Sequence, residues 1–136
     1  MDADSVDFST FAALECSYLA QIYAELGDHA NAATWDKKYR DTVALIHAQL
    51  WDAEAGFYNY RDFNGTFRKA LLPTGFFPLM LPNVTSDRVE KLVQQLNDTA
   101  TFGTRVPLPT VAASDPTFST NMWRGAMWIN VNCAWG

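Results

Sequence analysis

Cysteine is scarce. Cys16 and Cys133 are the only two in 136 residues, and their separation offers neither a metal-ligand spacing nor a CxxC redox motif. Both are expected to be inert thiols in apolar surroundings. Positive charge is scarce too: ten Lys and Arg face fifteen Asp and Glu, a formal net charge of −5. The basic residues are scattered, so there is no stripe to follow a phosphate backbone, and no nucleic-acid partner is expected. No apolar run reaches roughly eighteen residues, so no segment reads as a membrane span and no membrane partner is expected. The opening MDADSVDF is acidic where a secretory leader is basic, and it is not read as one. The compartment stays open. Metal-ligand groupings are missing as well. His29 and His47 have no partner at metal spacing, and Asp52, Glu54 and Asp62 lack the ligand order of a calcium loop. No metal and no cofactor is expected. Three N-x-T sequons, at Asn64, Asn83 and Asn97, would matter only in a secreted eukaryotic protein.

Aromatic residues are plentiful: they make up 14% of the chain and include five Trp. A small helical domain packs with fewer, which points some of them toward recognition. Residues 8–26 carry Phe8, Phe11, Tyr18, Leu19, Ile22 and Leu26 at helical spacing. Asp7 or Ser9 can cap this helix, and Gly27 suits the left-handed position past its end. Apolar on more than one face, it is expected to be well buried. A second helix runs from about Ala30 to Leu50, with Trp35, Tyr39, Val43, Ile46 and Leu50 as its stripe. The short GDHA link makes the two an antiparallel hairpin.

The period then changes. In WDAEAGFYNYRDFNGTFRK, Phe57, Tyr58 and Tyr60 favour extended structure, Gly56 marks a turn and Asn64-Gly65 a tight hairpin. A short β-hairpin or structured loop is expected near 51–70. One short helix follows near Phe76–Met80. Another, capped by Ser86 or Thr85, extends to about Leu96 with Val89, Leu92, Val93 and Leu96 inward. Residues 97–120 form a long loop, which in a compact domain is either functional or a sign of misassignment. The last helix is expected from about Met122 to Trp135. It is apolar nearly all round, so it should be enclosed. It stops at Gly136 with nothing closing over it. The expectation is a mainly α chain, 1–136, forming one part of a larger domain.

The opening hairpin, YLAQIYAELGDHANAATWDKKY, has the look of a tetratricopeptide unit. That would make the chain a non-catalytic helical-repeat interaction module. A repeat must recur near every 34 residues or so, and residues 51–85 contain nothing similar. A wider resemblance covers essentially the whole chain. VDFSTFAALECSYLAQIYAELGD, LWDAEAGFYNYRD, LLPTGFFPLML, FGTRVPLPTVAASDPTF and MWRGAMWINVN occur in the order found in (α/α)6-barrel glycoside hydrolases. The chain resembles family 63, the processing α-glucosidases and mannosylglycerate hydrolases, with trehalases more distant. The most specific element is Trp-Arg-Gly-x-x-Trp-x-Asn-x-Asn. The chain departs from the pattern at Ala126, where proline is more usual, and at Cys133, where an aromatic is common.

The resemblance implies helical hairpins forming part of an (α/α)6 toroid, an inverting α-glycosidase activity and an oligosaccharide or small glycoside substrate. The rest of the barrel would be the structural partner. Inversion needs a carboxylic acid to protonate the leaving oxygen and a carboxylate to activate water on the opposite face. The family order places both outside residues 1–136, so activity of this chain alone is left open. Asp7 is the one weak catalytic candidate. Its plainer role is a helix cap, with Asp2 and Asp4 a solvated tail and Glu15 a polar position on the rim. What remains is a binding wall of Trp123, Arg124, Gly125, Trp128 and Asn132, with Asn130 less certain. Indole faces stack on pyranose rings. A guanidinium donates to hydroxyls or a carboxylate, and glycine lets backbone approach closely. Read without the resemblance, Trp128 and Trp135 are core residues and Arg124 pairs with an acid elsewhere. Arg105, Pro107, Pro109 and Thr110 resemble a substrate-side loop of the family.

Overall fold

The computed structural model describes residues 3–132. Helices α1 (Val6–Glu25) and α2 (His29–Gln49) form the antiparallel hairpin, and Gly27 follows α1 at φ 76°. The N-cap of α1 differs from the expected Asp7 or Ser9. Ser5 occupies the N-cap position of α1 without a capping bond, because its hydroxyl donates to the Asp7 carboxylate instead. At α2, Asp28 caps by accepting the Asn31 amide at 3.1 Å. The Asn31 side chain and then its backbone amide hold the Asp28 carboxyl below the usual range. Along α2 the expected stripe is buried at Val43, Ile46 and Leu50.

Helix α1 is not well buried. Only Val6, Thr10 and Ala13 are covered, while Phe8 is 68% and Ile22 54% exposed. The helix packs on α2 and on a 3-10 helix, Pro73–Met80, and its remaining apolar stripe is left open. The short helix expected near Phe76–Met80 starts at Pro73, and prolines at 73 and 78 explain its tight 3-10 turns.

Strands β2 (Trp51–Asp52) and β3 (Phe57–Tyr58) pair antiparallel, Trp51 opposite Tyr58. The Asp52 carboxylate closes their turn by accepting from Glu54 and Ala55 amides at 3.0 and 3.1 Å. Strand β4 (Arg61–Asp62) pairs with β1 (Ala3–Asp4), so Asp4 belongs to a strand and not to a solvated tail. Asp62 organises the Asn64-Gly65 turn, accepting from Asn64 and Thr66 amides at 3.0 and 2.8 Å. These acids serve turns, and among the described residues no group of three metal-ligating side chains exists.

Helix α3 (Ser86–Asn97), with Thr85 at its N-cap, buries only Leu92. Val93 and Leu96, expected inward, are exposed. The inner face is rotated toward Arg88, Leu92 and Gln95. Arg88 Nη1 donates to the His47 carbonyl at 2.9 Å and to the Tyr58 hydroxyl at 3.3 Å. Its guanidinium lies 4.8 Å from the Trp51 ring centre. His47 is a half-buried brace. Its Nδ1 lies 2.7 Å from Tyr58 Oη and its Nε2 2.8 Å from the Pro82 carbonyl.

The core gathers Phe57, Phe76 and Phe102 from three distant segments, with ring centres 4.9 to 5.6 Å apart. Gly75 makes this possible: a Cβ there would lie 2.0 Å from Phe57 Cε1 and 2.4 Å from the Tyr58 carbonyl oxygen. The links sort by length. Residues 26–28 and 81–85 are short, while 50–72 and 98–121 are long. The β1–β4 pairing and the 3.0 Å bond from Ala112 N to Leu71 O place the start of α1 and both long links at one end.

Candidate functional site

The last segment is not the continuous helix expected from 122. A 3-10 turn, Met122–Arg124, is followed by a break and then a one-turn helix α4, Ile129–Asn132. Two backbone conformations impose the break: Met122 at φ 54° and Gly125 at φ 152°. Gly125 is required twice over. Its φ suits glycine, and an added Cβ would lie 2.6 Å from the Ser119 carbonyl oxygen and 2.7 Å from the Phe118 ring. Ser119 N donates to Arg124 O at 2.7 Å, which ties the turn back to the loop before it. The buried Gly125 amide donates to Thr110 Oγ1 at 3.0 Å, which anchors it to residues 109–112, a buried stretch of the long loop.

This turn stacks Trp123 on Trp128. Ring centres are 3.6 Å apart and the planes 12° from parallel. Trp128 Nε1 donates to the Met122 carbonyl at 3.3 Å, so its indole hydrogen is already engaged. Trp123 stays 53% exposed. The pair therefore offers one open indole face. Arg124 is exposed and forms no ion pair among the described residues, so the acid partner considered for it is not seen there. Asn132 is half-buried. Its Nδ2 donates to Pro107 O at 3.3 Å, while its Oδ1 is buried with no hydrogen-bond partner among the described residues. Asp2, the Asn130 side chain, Cys133 and Trp135 lie outside the described residues.

Asp7 sits in the first turn of α1. Its Oδ1 accepts from the Ser5 hydroxyl and from the Phe8 amide at 2.9 Å. Tyr60 stands nearby, its hydroxyl 3.4 Å from Thr74 Oγ1. Burial pushes the Tyr60 phenol up, and the Asp7 charge adds to that. Glu15 is exposed, and Cys16 is a half-buried free thiol.

Residues 2–135 match the domain family described as mannosylglycerate hydrolase MGH1-like glycoside hydrolase domain. The chain belongs to this glycoside hydrolase family. A mannosylglycerate hydrolase from Thermus thermophilus is 36% identical over 85 residues, which is 61% of this chain and 20% of that protein. An uncharacterised protein of Borreliella burgdorferi is 26% identical over 93% of this chain and 27% of its own length. The family 63 mannosylglycerate hydrolase of Thermus thermophilus, solved with Tris, superposes with a TM-score of 0.80. Its identity is 28%, over 96% of this chain and 31% of that one. A sialidase chain gives a TM-score of 0.86 at 18% identity, over 95% of this chain and 12% of its own, which shows likeness of fold alone. The chain thus spans between a fifth and a third of the length of the first three of these relatives.

Within this glycoside hydrolase domain, the fold is mainly α, with helical hairpins forming part of an (α/α)6 toroid and a small β-hairpin. The structure brings Trp123, Arg124, Gly125 and Trp128 into one turn and ties Asn132 to the same long loop. The polar neighbours of Asp7 were not singled out from sequence. Ser5 and Tyr60 lie beside Asp7 where β1 pairs with β4, and two-residue strands leave no periodic signal to read.

Proposed function

We propose that this chain contributes the sugar-binding wall of an inverting α-glycosidase acting on α-glucosidic or related α-linked sugars. The observation that carries the reading is the exposed indole stack. It is held on a glycine turn, close to the end where the long links gather, in a chain of a glycoside hydrolase family. The exposed indole of Trp123, stacked at 3.6 Å on the half-buried Trp128, is apolar area that a ligand can cover. The apolar face of a pyranose is of matching shape. Trp123 is the platform, Trp128 backs it, and Arg124 supplies donors for hydroxyls or a carboxylate. The relative's name makes mannosylglycerate a further ligand to try, its carboxylate suiting the guanidinium of Arg124, which forms no ion pair among the described residues. Proton transfer is assigned to carboxylates outside residues 1–136, with Asp7 holding the start of α1.

A fluorescence titration of the full chain with methyl α-D-glucopyranoside tests the wall. Trp123→Ala is expected to abolish saturable quenching, and unchanged affinity would sink the proposal. Turnover by residues 1–136 alone, abolished by Asp7→Asn, would overturn the assignment of the proton chemistry. The repeat-module alternative is not favoured, since residues 51–62 are built into paired strands that a plain helical stack does not need.

A further inference from the structure

We propose that Thr110 is a positioning residue for the tryptophan platform: by accepting the Gly125 amide hydrogen, its buried hydroxyl fixes the turn that stacks Trp123 on Trp128. The inference rests on the sugar-wall reading. Its first support is the rigidity of the anchor. Thr110 is 7% exposed, and its neighbours Pro109, Val111 and Ala112 are buried. Backbone bonds from Ala112 N to Leu71 O at 3.0 Å and from Ala113 N to Thr101 O at 2.9 Å hold this stretch to the core side. The hydroxyl is therefore presented from a fixed backbone.

The second support is where the bond lands. Gly125 lies between the two tryptophans in sequence, and its amide donates to Thr110 Oγ1 at 3.0 Å. The other bonds of the turn are local: Ser119 N to Arg124 O at 2.7 Å and Trp128 Nε1 to Met122 O at 3.3 Å. They shape the turn without setting its place on the protein. A further tie to the long loop, Asn132 Nδ2 to Pro107 O at 3.3 Å, is exposed and lies beyond the pair.

The third support is crowding. The space beside Gly125 is filled by the Ser119 carbonyl oxygen and the Phe118 ring, and among the described residues its buried amide is paired with Thr110 Oγ1, so losing that acceptor costs a buried hydrogen bond that only a shift of the turn can relieve. A turn that moves carries residues 122–124 with it, and the indoles part. One hydroxyl thus sets a binding surface that it does not itself touch.

The test uses the full chain with Thr110→Val, which keeps the shape and loses the acceptor, and Thr110→Ser, which keeps the acceptor. Two readouts are needed: the exciton-coupled circular dichroism of the stacked indoles and the affinity for methyl α-D-glucopyranoside. Thr110→Val is expected to lose most of the indole couplet and to bind about tenfold more weakly, with Thr110→Ser restoring both. Leu92→Ala serves as a control, lowering the melting temperature while leaving the couplet in place. A Thr110→Val protein that keeps its couplet, or loses it without losing affinity while Trp123→Ala binds poorly, overturns the proposal. So does a Thr110→Ser protein that rescues neither. If Trp123→Ala binds normally, the sugar-wall reading falls instead, and the couplet alone then decides the role of Thr110.

Discussion

Two aromatic clusters sit in this chain, and they are built on opposite plans. Phe57, Phe76 and Phe102 come from a strand, a 3-10 helix and a loop. Two of their three contacts are edge-to-face, with ring planes at 90° and 76°, and all three rings are buried. Edge-to-face packing sets the positive rim of one ring against the negative face of another and leaves no flat surface free. Trp123 and Trp128 come from one turn, lie nearly parallel and leave an indole face in solvent. The first arrangement uses aromatic area to hold distant segments together. The second holds aromatic area available, and a local turn does the holding. Residue type does not separate the two roles; the angle between rings and the span of chain they join do.

The sharpest way to break the contrast is to truncate both clusters. Phe57→Ala is expected to cost about 3–5 kcal/mol in urea unfolding, whereas Trp123→Ala should cost less than about 1 kcal/mol while removing sugar-induced quenching. Equal losses of stability would erase the distinction. Glycines give a second comparison. Gly75→Ala forces a methyl against Phe57 and the Tyr58 carbonyl and is expected to cost about 3 kcal/mol. Gly125→Ala meets similar crowding from the Ser119 carbonyl oxygen and the Phe118 ring, in the tryptophan turn. It should lose the indole couplet while leaving near-ultraviolet phenylalanine signals intact.

A smaller effect concerns pH. Burial raises the Tyr58 phenol, against the lowering effect of the Arg88 hydrogen bond and charge, and burial also raises Tyr60. A folded state that prefers the protonated phenol binds more protons than the unfolded chain above pH 10 or so. Stability is therefore whole below that pH and falls as pH rises toward the folded-state values. Unfolding curves stepped through that range should show the decline, and a flat profile would contradict the burial of both hydroxyls.

Much of this was legible from sequence where spacing carries the information. The α1–α2 hairpin follows from two long stripes and a short link. The Asn64-Gly65 turn follows from its dipeptide. Other features depended on what lies across from them. Helix α3 shows an apolar set at 89, 92, 93 and 96, yet Arg88 and Gln95 face inward because Tyr58 and the Ala55 carbonyl need donors there. The helix expected from Met122 is interrupted at Gly125, a residue a helix can tolerate, because Ser119 and Phe118 pack against it. In the site, Trp123 and Arg124 were readable as a motif. Their mutual geometry was not, since it is set by a hydroxyl fifteen residues earlier in the chain.

The brace around His47 has a sense of direction. The Arg88 guanidinium can only donate and the Pro82 carbonyl can only accept. With those two ends fixed, Tyr58 receives from Arg88 and gives to His47 Nδ1, and His47 gives from Nε2 to Pro82. The row of bonds cannot run backwards, so one tautomer of the imidazole is selected by groups on α3 and in the link before it. Helices α2 and α3 and strand β3 are thereby joined by a polarity as well as by contact, and replacing Tyr58 with phenylalanine would cut the row in its middle, leaving Arg88 its bond to the His47 carbonyl and His47 its bond to Pro82.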